Sequence, residues 1–556
     1  MLNSKVSQAV TAALALGAAA AAQAAAPAAV QIGTVPAGNI LYISGSTAIT
    51  PALLDYMINS SKPLCNKALG TPVVYTGTET NGNFNAVSCI ASSIVTGLEG
   101  DEIAIIKENN AGSKNGILPI DAPTSNFVTY PNVTQSGFDG HCVPAAAPIT
   151  QPGFIPYFPV TCDTSYPIVT STATTGPYAA LGYADVEAGI FGLATPAGAG
   201  SSVDTPFGVT LSLGAYHALQ GAEGLTEDDA LADMPTLSRV QLAGIFNGYI
   251  TEWTSVYGNG GSSVGAQSVH FGNSGLSGTT HVCYDGTQNS TALDCQSGTQ
   301  ASVAVTPHDT GIYFCERGQS SGTQNTAQIF FAGQGCIGSP QRFSVPTTTS
   351  CGASGCTWSA ATYGTNRVFA GSGQGDDLEC MEGHDEQGQF AISLSSTDQA
   401  WGAVAVTNNL QAKADWRFIR IDGVAPSNEN IAAGKYDFWA QSAFYYSTSG
   451  ANLPTGNELT LQKFFTAAAT QIGPDTVAAI DLGLQRSNPT LDGGLLAIPI
   501  GSSTPPTPTE TQASFRTAPV NSFLRDNPGD NCQPPYPAKS NEPLSATPAW
   551  DPTSIQ

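Results

Sequence analysis

The sequence predicts an α/β protein with two lobes or more. A short apolar strand at residues 39–44 leads into a Gly/Ser/Thr turn and then into apolar residues at helical spacing, and a second strand at residues 73–75 precedes another hydroxyl-rich turn at residues 76–82. In α/β sheets, ligand sites lie at such turns, beyond the carboxyl ends of the strands. With 556 residues, 41% of them hydrophobic, the chain can bury more core than one ordinary domain requires.

Local signals support the order of the elements. Thr50 followed by Pro51 predicts the start of the first helix, because threonine caps helix N-termini and proline suits the first helical position. Residues 90–180 are rich in proline and threonine with little periodicity, so we expect a long insertion there. Residues 207–213 alternate in polarity, which predicts a strand that crosses into a second lobe.

A short amphipathic helix is predicted after residue 238. Ser238 can cap it, Gln241 completes a capping box, and Gly248 ends it. On physical grounds alone this helix packs on a core, and it contains no motif for catalysis or ligand binding.

The first 24 residues have the pattern of a cleavable secretory signal. Lys5 precedes an Ala/Leu-rich run at residues 10–22, and residues 22–24 form an A-x-A cleavage site. The run is too short to span a bilayer, and no later stretch is long and apolar enough to do so. We therefore expect a periplasmic or secreted protein with no membrane span after signal cleavage.

Twelve cysteines, all beyond the signal, fit an oxidising compartment. Local pairing gives Cys65–Cys89, Cys142–Cys162, Cys283–Cys295, Cys315–Cys336, Cys351–Cys356 and Cys380–Cys532. Sequence alone leaves this connectivity open. We expect no metal site, since no C-x-x-C motif occurs and the histidines are scattered. The acidic stretch at residues 376–386 lacks EF-hand spacing and predicts a solvated loop.

The formal net charge of −24 argues against nucleic acid or anionic membranes as partners, since both call for basic patches. The charge reflects a shortage of cations, and only 11% of the residues are charged. The proline-dense residues 501–556 predict an extended or disordered tail.

Residues 317–323, Arg-Gly-Gln-Ser-Ser-Gly-Thr, form the most informative motif. Arg317 can make bidentate hydrogen bonds to an oxyanion, and residues 324–331 can form a helix whose N-terminus adds N–H groups and a positive dipole end. The motif also fits G-x-S-x-G, the nucleophile elbow of α/β hydrolases, with Ser320 as nucleophile and His384 as the only histidine downstream. A third interpretation is a surface turn that caps a helix. The residues alone leave all three open.

Several segments share the motifs of one known family. Residues 237–253 follow the pattern Leu-Ser/Thr-x-x-Gln-Leu/Val-x-x-Ile-Phe-x-Gly-x-Ile-x-x-Trp, and residues 317–323 match Arg-x-x-x-Ser-Gly-Thr. Residues 45–51 and 75–82 resemble two ligand turns, and residues 182–187 resemble a Gly-x-Ser-Asp segment with Ala184 where serine is usual. Together they resemble the phosphate-binding proteins of ABC phosphate transporters, which belong to the type II periplasmic binding proteins.

The resemblance implies a two-lobed α/β fold whose chain crosses the hinge twice. Lobe I would comprise residues 38–206 and 426–500, and lobe II residues 207–425. Disulfide-rich insertions and the C-terminal tail would be additions to this two-lobed fold.

The resemblance also implies a ligand site between the lobes. Arg317 would pair with phosphate oxygens, while Asp185 would accept a hydrogen bond from protonated phosphate and repel sulfate, which has no proton to share. The remaining implied donors are Ser46, Thr47, Thr50, Thr80, Ser321, Gly322 and Thr323.

The function that follows is capture of phosphate or a similar oxyanion, without catalysis or cofactor, by a monomer that serves an ABC permease. Two alternatives stay open. The first is a non-catalytic extracellular surface or matrix protein on the same fold, and the second is a secreted serine hydrolase or phosphatase.

Overall fold

The computed structural model describes residues 28–47, 50–60, 64–77, 84–109, 112–122, 126–150, 154–172, 175–228, 230–267, 309–333, 343, 368–371, 373–385, 389–399, 405–406, 409–410, 416–450, 453–469, 494–497, 521, 523–525, 531–532 and 535–537. The predicted signal, residues 1–24, lies outside them. None of the helices in this part of the chain has the length and apolar character that crossing a membrane requires.

The strands are β1 (Ile40–Gly45), β2 (Val73–Thr76), β3 (Phe84–Ile90), β4 (Glu102–Glu108), β5 (Thr129–Pro131), β6 (Phe158–Thr161), β7 (Ile168–Thr170), β8 (Leu181–Ala184), β9 (Gly198–Ser212), β10 (Thr236–Leu237), β11 (Asp309–Arg317), β12 (Val368–Gly371), β13 (Gln389–Ser396), β14 (Ala405–Val406), β15 (Asn409–Leu410), β16 (Trp416–Phe418), β17 (Arg420–Ile421), β18 (Trp439–Tyr446), β19 (Leu496–Ala497), β20 (Phe523–Leu524) and β21 (Tyr536–Pro537). The α-helices are α1 (Thr50–Ile58), α2 (Leu118–Asp121), α3 (Phe138–His141), α4 (Leu213–Glu223), α5 (Arg239–Phe246), α6 (Gly322–Ala332), α7 (Gln374–Asp385), α8 (Asn428–Ala432) and α9 (Gly456–Ala469).

One 13-stranded sheet runs through both lobes, in the order β12-β11-β13-β9-β18-β8-β1-β4-β3-β2-β6, with β16 and β19 also pairing with β9. The long strand β9 joins its two halves. Residues 198–206 pair with β18, which also pairs with β8, and residues 207–211 pair with β13. Strand β9 therefore runs through both halves, and β18 beside it packs into both, with Trp439 and Ala440 in one apolar cluster and Phe444 in the other. These two antiparallel strands connect the lobes, and the predicted two-lobed α/β class is confirmed.

Separate apolar cores lie on either side of this connection. In the first core, Ile43 of β1 and Leu181 of β8 pack against Leu53 of α1. In the second, Leu211 of β9 packs with Phe246 of α5. Each lobe thus has its own core, as the chain length predicts.

One predicted helix start is confirmed, and a second lies within one residue of its predicted position. Ser238 caps α5 with a complete capping box, in which Gln241 is the reciprocal partner. Helix α1 begins at Thr50, one residue before the predicted first helical position at Pro51.

The prediction that residues 90–180 are a long insertion is wrong for β4. This strand lies inside the sheet, parallel to β1 and antiparallel to β3. Its residues 103–108 are all buried. A strand covered on both faces shows a continuous apolar run instead of alternation, so periodicity gave no signal there.

The prediction of a solvated loop at residues 376–386 is also wrong. Residues 374–385 form α7, in which residues 377, 380, 381, 384 and 385 are buried on one helical face and Gln374 and Asp376 are buried as well. Three of those five positions carry aspartate or histidine, so the polar composition concealed a helical spacing.

Three disulfides join described cysteines. Cys65–Cys89 and Cys142–Cys162 form as expected. Cys315 pairs with Cys380 instead of Cys336, so the expected Cys380–Cys532 bond is wrong. The physical reason is that α7 packs beside β11 and brings the two Cα atoms within 6.0 Å. Cys532 is disulfide-bonded as well. The other expected pairs involve Cys283, Cys295, Cys336, Cys351 and Cys356, which lie outside the described residues.

The described residues of the C-terminal tail pack against the connecting strands, unlike the extended tail that was expected. Asn521 is fully buried, and its side-chain amide donates to Asp204 Oδ2 on β9 at 2.7 Å. Burial raises the pKa of Asp204 to about 8, although the Asn521 hydrogen bond and the charge of Arg525 oppose this rise.

We expect Asp204→Asn to stabilise the protein at pH 8 and to change little at pH 4. Between the ordinary aspartate pKa of about 4 and the folded pKa of about 8, the folded protein binds more protons than the unfolded chain, so the contribution of Asp204 to stability falls as pH rises. An asparagine at position 204 does not ionise, so it removes this pH-dependent loss of stability, and its side-chain oxygen can still accept the hydrogen bond from Asn521. The gain at pH 8 should be at least about 1 kcal/mol. Calorimetric unfolding at pH 4, 6 and 8 measures it, and a difference independent of pH would contradict the assignment.

Candidate functional site

The candidate site lies where strands of both lobes end. Ser46 follows β1 and Asp185 follows β8, while Arg317 ends β11 and Gly322 begins α6. Ser46, Asp185 and Arg317 are at most 3% exposed. Residues far apart in sequence thus converge in one buried region between the lobes.

Two serines hold the carboxylate of Asp185. The Ser46 hydroxyl donates to Oδ1 at 2.5 Å, and the Ser113 hydroxyl donates to Oδ2 at 2.9 Å. Ser113 Oγ also accepts from the backbone N–H of Asp185 at 3.0 Å. Burial raises the pKa of Asp185, while these hydrogen bonds and the charges of Arg317 and Lys107 oppose the rise. The result is a buried carboxyl group whose two oxygens are both held by hydroxyl donors.

The lobes touch at this carboxylate. A Cβ atom on Gly322 would lie 2.6 Å from Asp185 Oδ2, so only glycine fits there. Beside it, the backbone N–H of Lys114 donates to Ser320 O at 3.1 Å. Gly112, with φ of 67°, lies so close that its Cβ would be 3.1 Å from Ser321 Cα. The N-terminus of α6 therefore packs directly on the Asp185 side of the site.

Arg317 forms a buried ion pair with Asp377 of α7. Its Nε lies 3.5 Å from Asp377 Oδ2, and both side chains are almost completely buried. Burial raises the pKa of Asp377 well above its usual range, and the Arg317 charge opposes that rise. Gln324 Oε1 accepts from the backbone N–H of Arg317 at 3.3 Å, and Gln324 Nε2 donates to Glu316 Oε2 at 2.7 Å. Asp377 of α7 thus pairs with the guanidinium, while Gln324 of α6 binds the backbone of Arg317.

The start of α6 provides hydrogen-bond donors. Ser321 is its N-cap, and Ser321 Oγ accepts from the Gln324 N–H at 3.3 Å, which leaves the hydroxyl proton able to donate. The N–H groups of Gly322 and Thr323 belong to the first turn and have no acceptor within the helix. Because the positive end of the helix dipole lies here, an anion at this position is favoured.

A buried lysine binds the turn that follows β1, the first turn of lobe I. Lys107 Nζ donates to Gly45 O at 3.0 Å and to Asn109 Oδ1 at 2.9 Å, and the Thr50 hydroxyl donates to the same Asn109 oxygen at 2.8 Å. Burial lowers the pKa of Lys107 to about 7. Thr47 is half-buried in this turn. Thr80, the remaining expected donor, lies outside the described residues.

A second buried carboxyl group adds to the site. The Ser396 hydroxyl, at the end of β13, donates to Asp398 and lies 3.0 Å from Gln374 Oε1. Burial raises the pKa of Asp398 to about 6, and the charge of Asp185 contributes to that rise.

Sequence reasoning missed four of these residues: Lys107, Ser113, Asp377 and Asp398. Lys107 directly follows the apolar residues 103–106 of β4 and precedes Glu108, a placement that predicts either a buried charge or a strand edge. Ser113 lies in a Gly-Ser turn a few residues after that strand, as Ser46 does after β1. Recognition of β4 would therefore have revealed both.

The hydrolase interpretation requires His384 to act as the base for Ser320. Ser320 follows the carboxyl end of β11, whereas His384 Nδ1 lies 2.7 Å from Gln389, which begins the parallel strand β13. The His384 ring packs on Tyr313 of β11, with 4.4 Å between the ring centroids, so the histidine is a packed core side chain. Burial also lowers the pKa of His384 to about 4.

The one described cluster with metal-ligand side chains consists of Cys315, Cys380 and His384. Its two sulfur atoms are joined in a disulfide, so they are not thiolate ligands.

No protein-family model and no curated protein matches the chain. Solved structures that are similar to it include the following three. The first is a putative phosphate ABC transporter substrate-binding protein with bound phosphate from Clostridium perfringens, with 13% identity over 80% of this chain and 98% of that chain and a TM-score of 0.32. The second is an ABC-type phosphate transport receptor from Vibrio cholerae, with 12% identity over 77% of this chain and 97% of that chain and a TM-score of 0.28. The third is a possible phosphate binding protein from Planctomyces limnophilus, with 11% identity over 81% of this chain and 98% of that chain and a TM-score of 0.25. At these identities and TM-scores the likeness is distant and concerns the fold alone.

Proposed function

We propose that this protein is an exported binding protein that encloses phosphate, or a similar protonated oxyanion, between its two lobes. The observation that carries the proposal is the position of Asp185. Its buried carboxylate faces the N-terminus of α6 and lies close enough to Arg317 for their charges to interact. One acceptor, one fixed cation and a helix N-terminus are therefore gathered in one water-poor region.

These groups match the chemistry of a partly protonated tetrahedral anion. Arg317 and the N–H groups of Gly322 and Thr323 supply positive potential and donors to the anion's oxygens. Asp185 supplies the acceptor for a hydroxyl of the anion. Sulfate carries no proton at neutral pH, so it would place an unprotonated oxygen against a buried carboxylate. Phosphate is therefore the favoured ligand.

Binding requires the two lobes to separate and close again, because the site residues are buried where the lobes touch. Strands β9 and β18 are the connection about which this motion would occur. We propose residues 38–206 with 426–500 as lobe I and residues 207–425 as lobe II. An ABC permease is the proposed partner, and the monomer is the proposed binding unit.

The alternative is a surface or matrix protein that keeps the fold without the ligand. Its insertions and disulfides suit a long-lived extracellular protein. The fixed Asp185 and Arg317 favour the binding protein instead, since burying two charged groups is costly without a use for them.

Isothermal titration of the ligand-stripped mature chain, residues 25–556, distinguishes these functions. We expect phosphate to bind with a stoichiometry of one and sulfate to bind at least about 100-fold more weakly, as the loss of charged hydrogen bonds at a buried site implies. Absence of heat with phosphate, in protein that unfolds cooperatively, would support the surface protein.

A further inference from the structure

We infer that Asn531, in the C-terminal tail, is a positioning residue for the anion site, and this inference rests on the proposed function. The side-chain Nδ2 of Asn531 lies 3.2 Å from the backbone oxygen of Asp185 and 3.1 Å from Glu187 Oε2. Its backbone N–H also donates to Glu187 Oε2 at 3.1 Å. The tail thus holds residues 185–187 by contacts separate from those of the Ser46 and Ser113 hydroxyls.

The same side chain reaches the strand that connects the lobes. Asn531 Oδ1 accepts from the Gln441 N–H of β18 at 2.8 Å. The pairing of β18 with β9 shifts register between Gln441 and Ala443, so the ladder is interrupted at this point. Asn531 therefore links the turn that carries Asp185 to a break in the connecting strand.

Arg525, in the same tail, also binds strand β18. The Arg525 N–H donates to Gln441 Oε1 at 3.0 Å, and its guanidinium lies 4.5 Å from the Trp439 ring centroid. Arg525 Nη1 donates to Asn531 O at 3.2 Å, and Nη2 donates to Asp437 O at 2.8 Å. Asn531 is only 3% exposed. Because so many polar groups are satisfied at once, these contacts form a specific docked structure.

The contacts of Asn531 affect the site by fixing the position of Asp185. Asp185 must hold its carboxylate within about 0.5 Å of one position for Ser46, Ser113 and the anion to share its oxygens. The two serines fix the side chain, and Asn531 fixes the peptide that bears it. Without the Asn531 amide, the Asp185 carbonyl loses a buried donor and the turn can shift.

The test compares phosphate affinity and melting temperature in four mature proteins that keep the whole tail: wild type, Asn531→Ala, Asn521→Ala and the double variant Asn531→Asp with Glu187→Gln. Asn531→Ala should weaken phosphate binding about tenfold, as expected for the loss of a buried donor. Asn521→Ala removes a tail anchor at Asp204 instead, so it should lower the melting temperature and leave the affinity within about twofold.

The double variant separates positioning from simple anchoring. It reverses one hydrogen bond, because the amide introduced at position 187 can donate to the carboxylate introduced at position 531. That carboxylate can still accept from the Gln441 N–H, so the tail stays docked, but the donor to the Asp185 carbonyl is absent. We expect the melting temperature to recover towards the wild-type value and the affinity to stay low.

Two results would overturn the positioning role while phosphate binding by the wild type stands. The first is recovery of affinity in the double variant, and the second is unchanged affinity in Asn531→Ala. If the wild type bound no phosphate, the proposed function would fail and this inference with it.

Discussion

Arg317→Ala should lower the affinity for phosphate by at least about 100-fold. The arginine is the fixed cation of the site, and removing a charged donor from a buried anion costs more than removing a neutral one. Arg317→Lys should recover only part of this loss, because an ammonium cannot reproduce the planar fork of a guanidinium. Isothermal titration of the three proteins with phosphate measures the series.

The ion pair with Asp377 requires a control. Removing Arg317 leaves Asp377 buried without its cation, which by itself destabilises the fold. The double variant Arg317→Ala with Asp377→Asn removes that unpaired charge, so it should regain melting temperature but not phosphate affinity. An affinity near that of the wild type in the double variant would mean that Arg317 acts only as a structural partner of Asp377.

Gly322→Ala should weaken phosphate binding by about 5- to 150-fold, the equivalent of about 1–3 kcal/mol of overpacking. The added methyl would meet the Asp185 carboxylate at 2.6 Å, so it would hold the lobes apart at the point where they must close. Alanine is otherwise favourable in a helix, so the folded lobes themselves should keep their stability. Titration with phosphate and thermal unfolding separate the two effects.

Gly318→Ala is the matched control for this steric effect. Gly318 lies in the same loop, but its added methyl would meet only Gly371 O, at 3.6 Å. We expect an affinity within about twofold of the wild type, since ordinary contact distance costs little. Equal losses in both variants would point to a general disturbance of the loop instead of a blocked closure.

The parts of the fold that the sequence predicted correctly have local causes. Ser238 and Gln241 satisfy each other within one turn, so their pattern is enough to locate the start of α5. The predicted helix after Arg317 also forms, but it begins inside the Ser-Gly-Thr motif, at Gly322, because Ser321 caps it through the N–H of Gln324. Such signals do not depend on the rest of the chain.

The parts that were missed depend on tertiary contacts. Strand β4 is recognisable only once β1 and β3 cover it, and α7 buries aspartates because Arg317 and Cys315 lie beside it. The partnership of Ser113 with Asp185 spans 72 residues, and that of Asn531 with Asp185 spans 346. The pattern within a short window of sequence contains no information about such pairs.

A crystal structure of the mature protein grown with phosphate would test the site most directly. We expect one anion between the lobes, with oxygens within about 3 Å of Arg317, of the Gly322 or Thr323 N–H groups and of the Asp185 carboxylate. An anion bound elsewhere, with Asp185 still hydrogen-bonded only to Ser46 and Ser113, would contradict the proposed site.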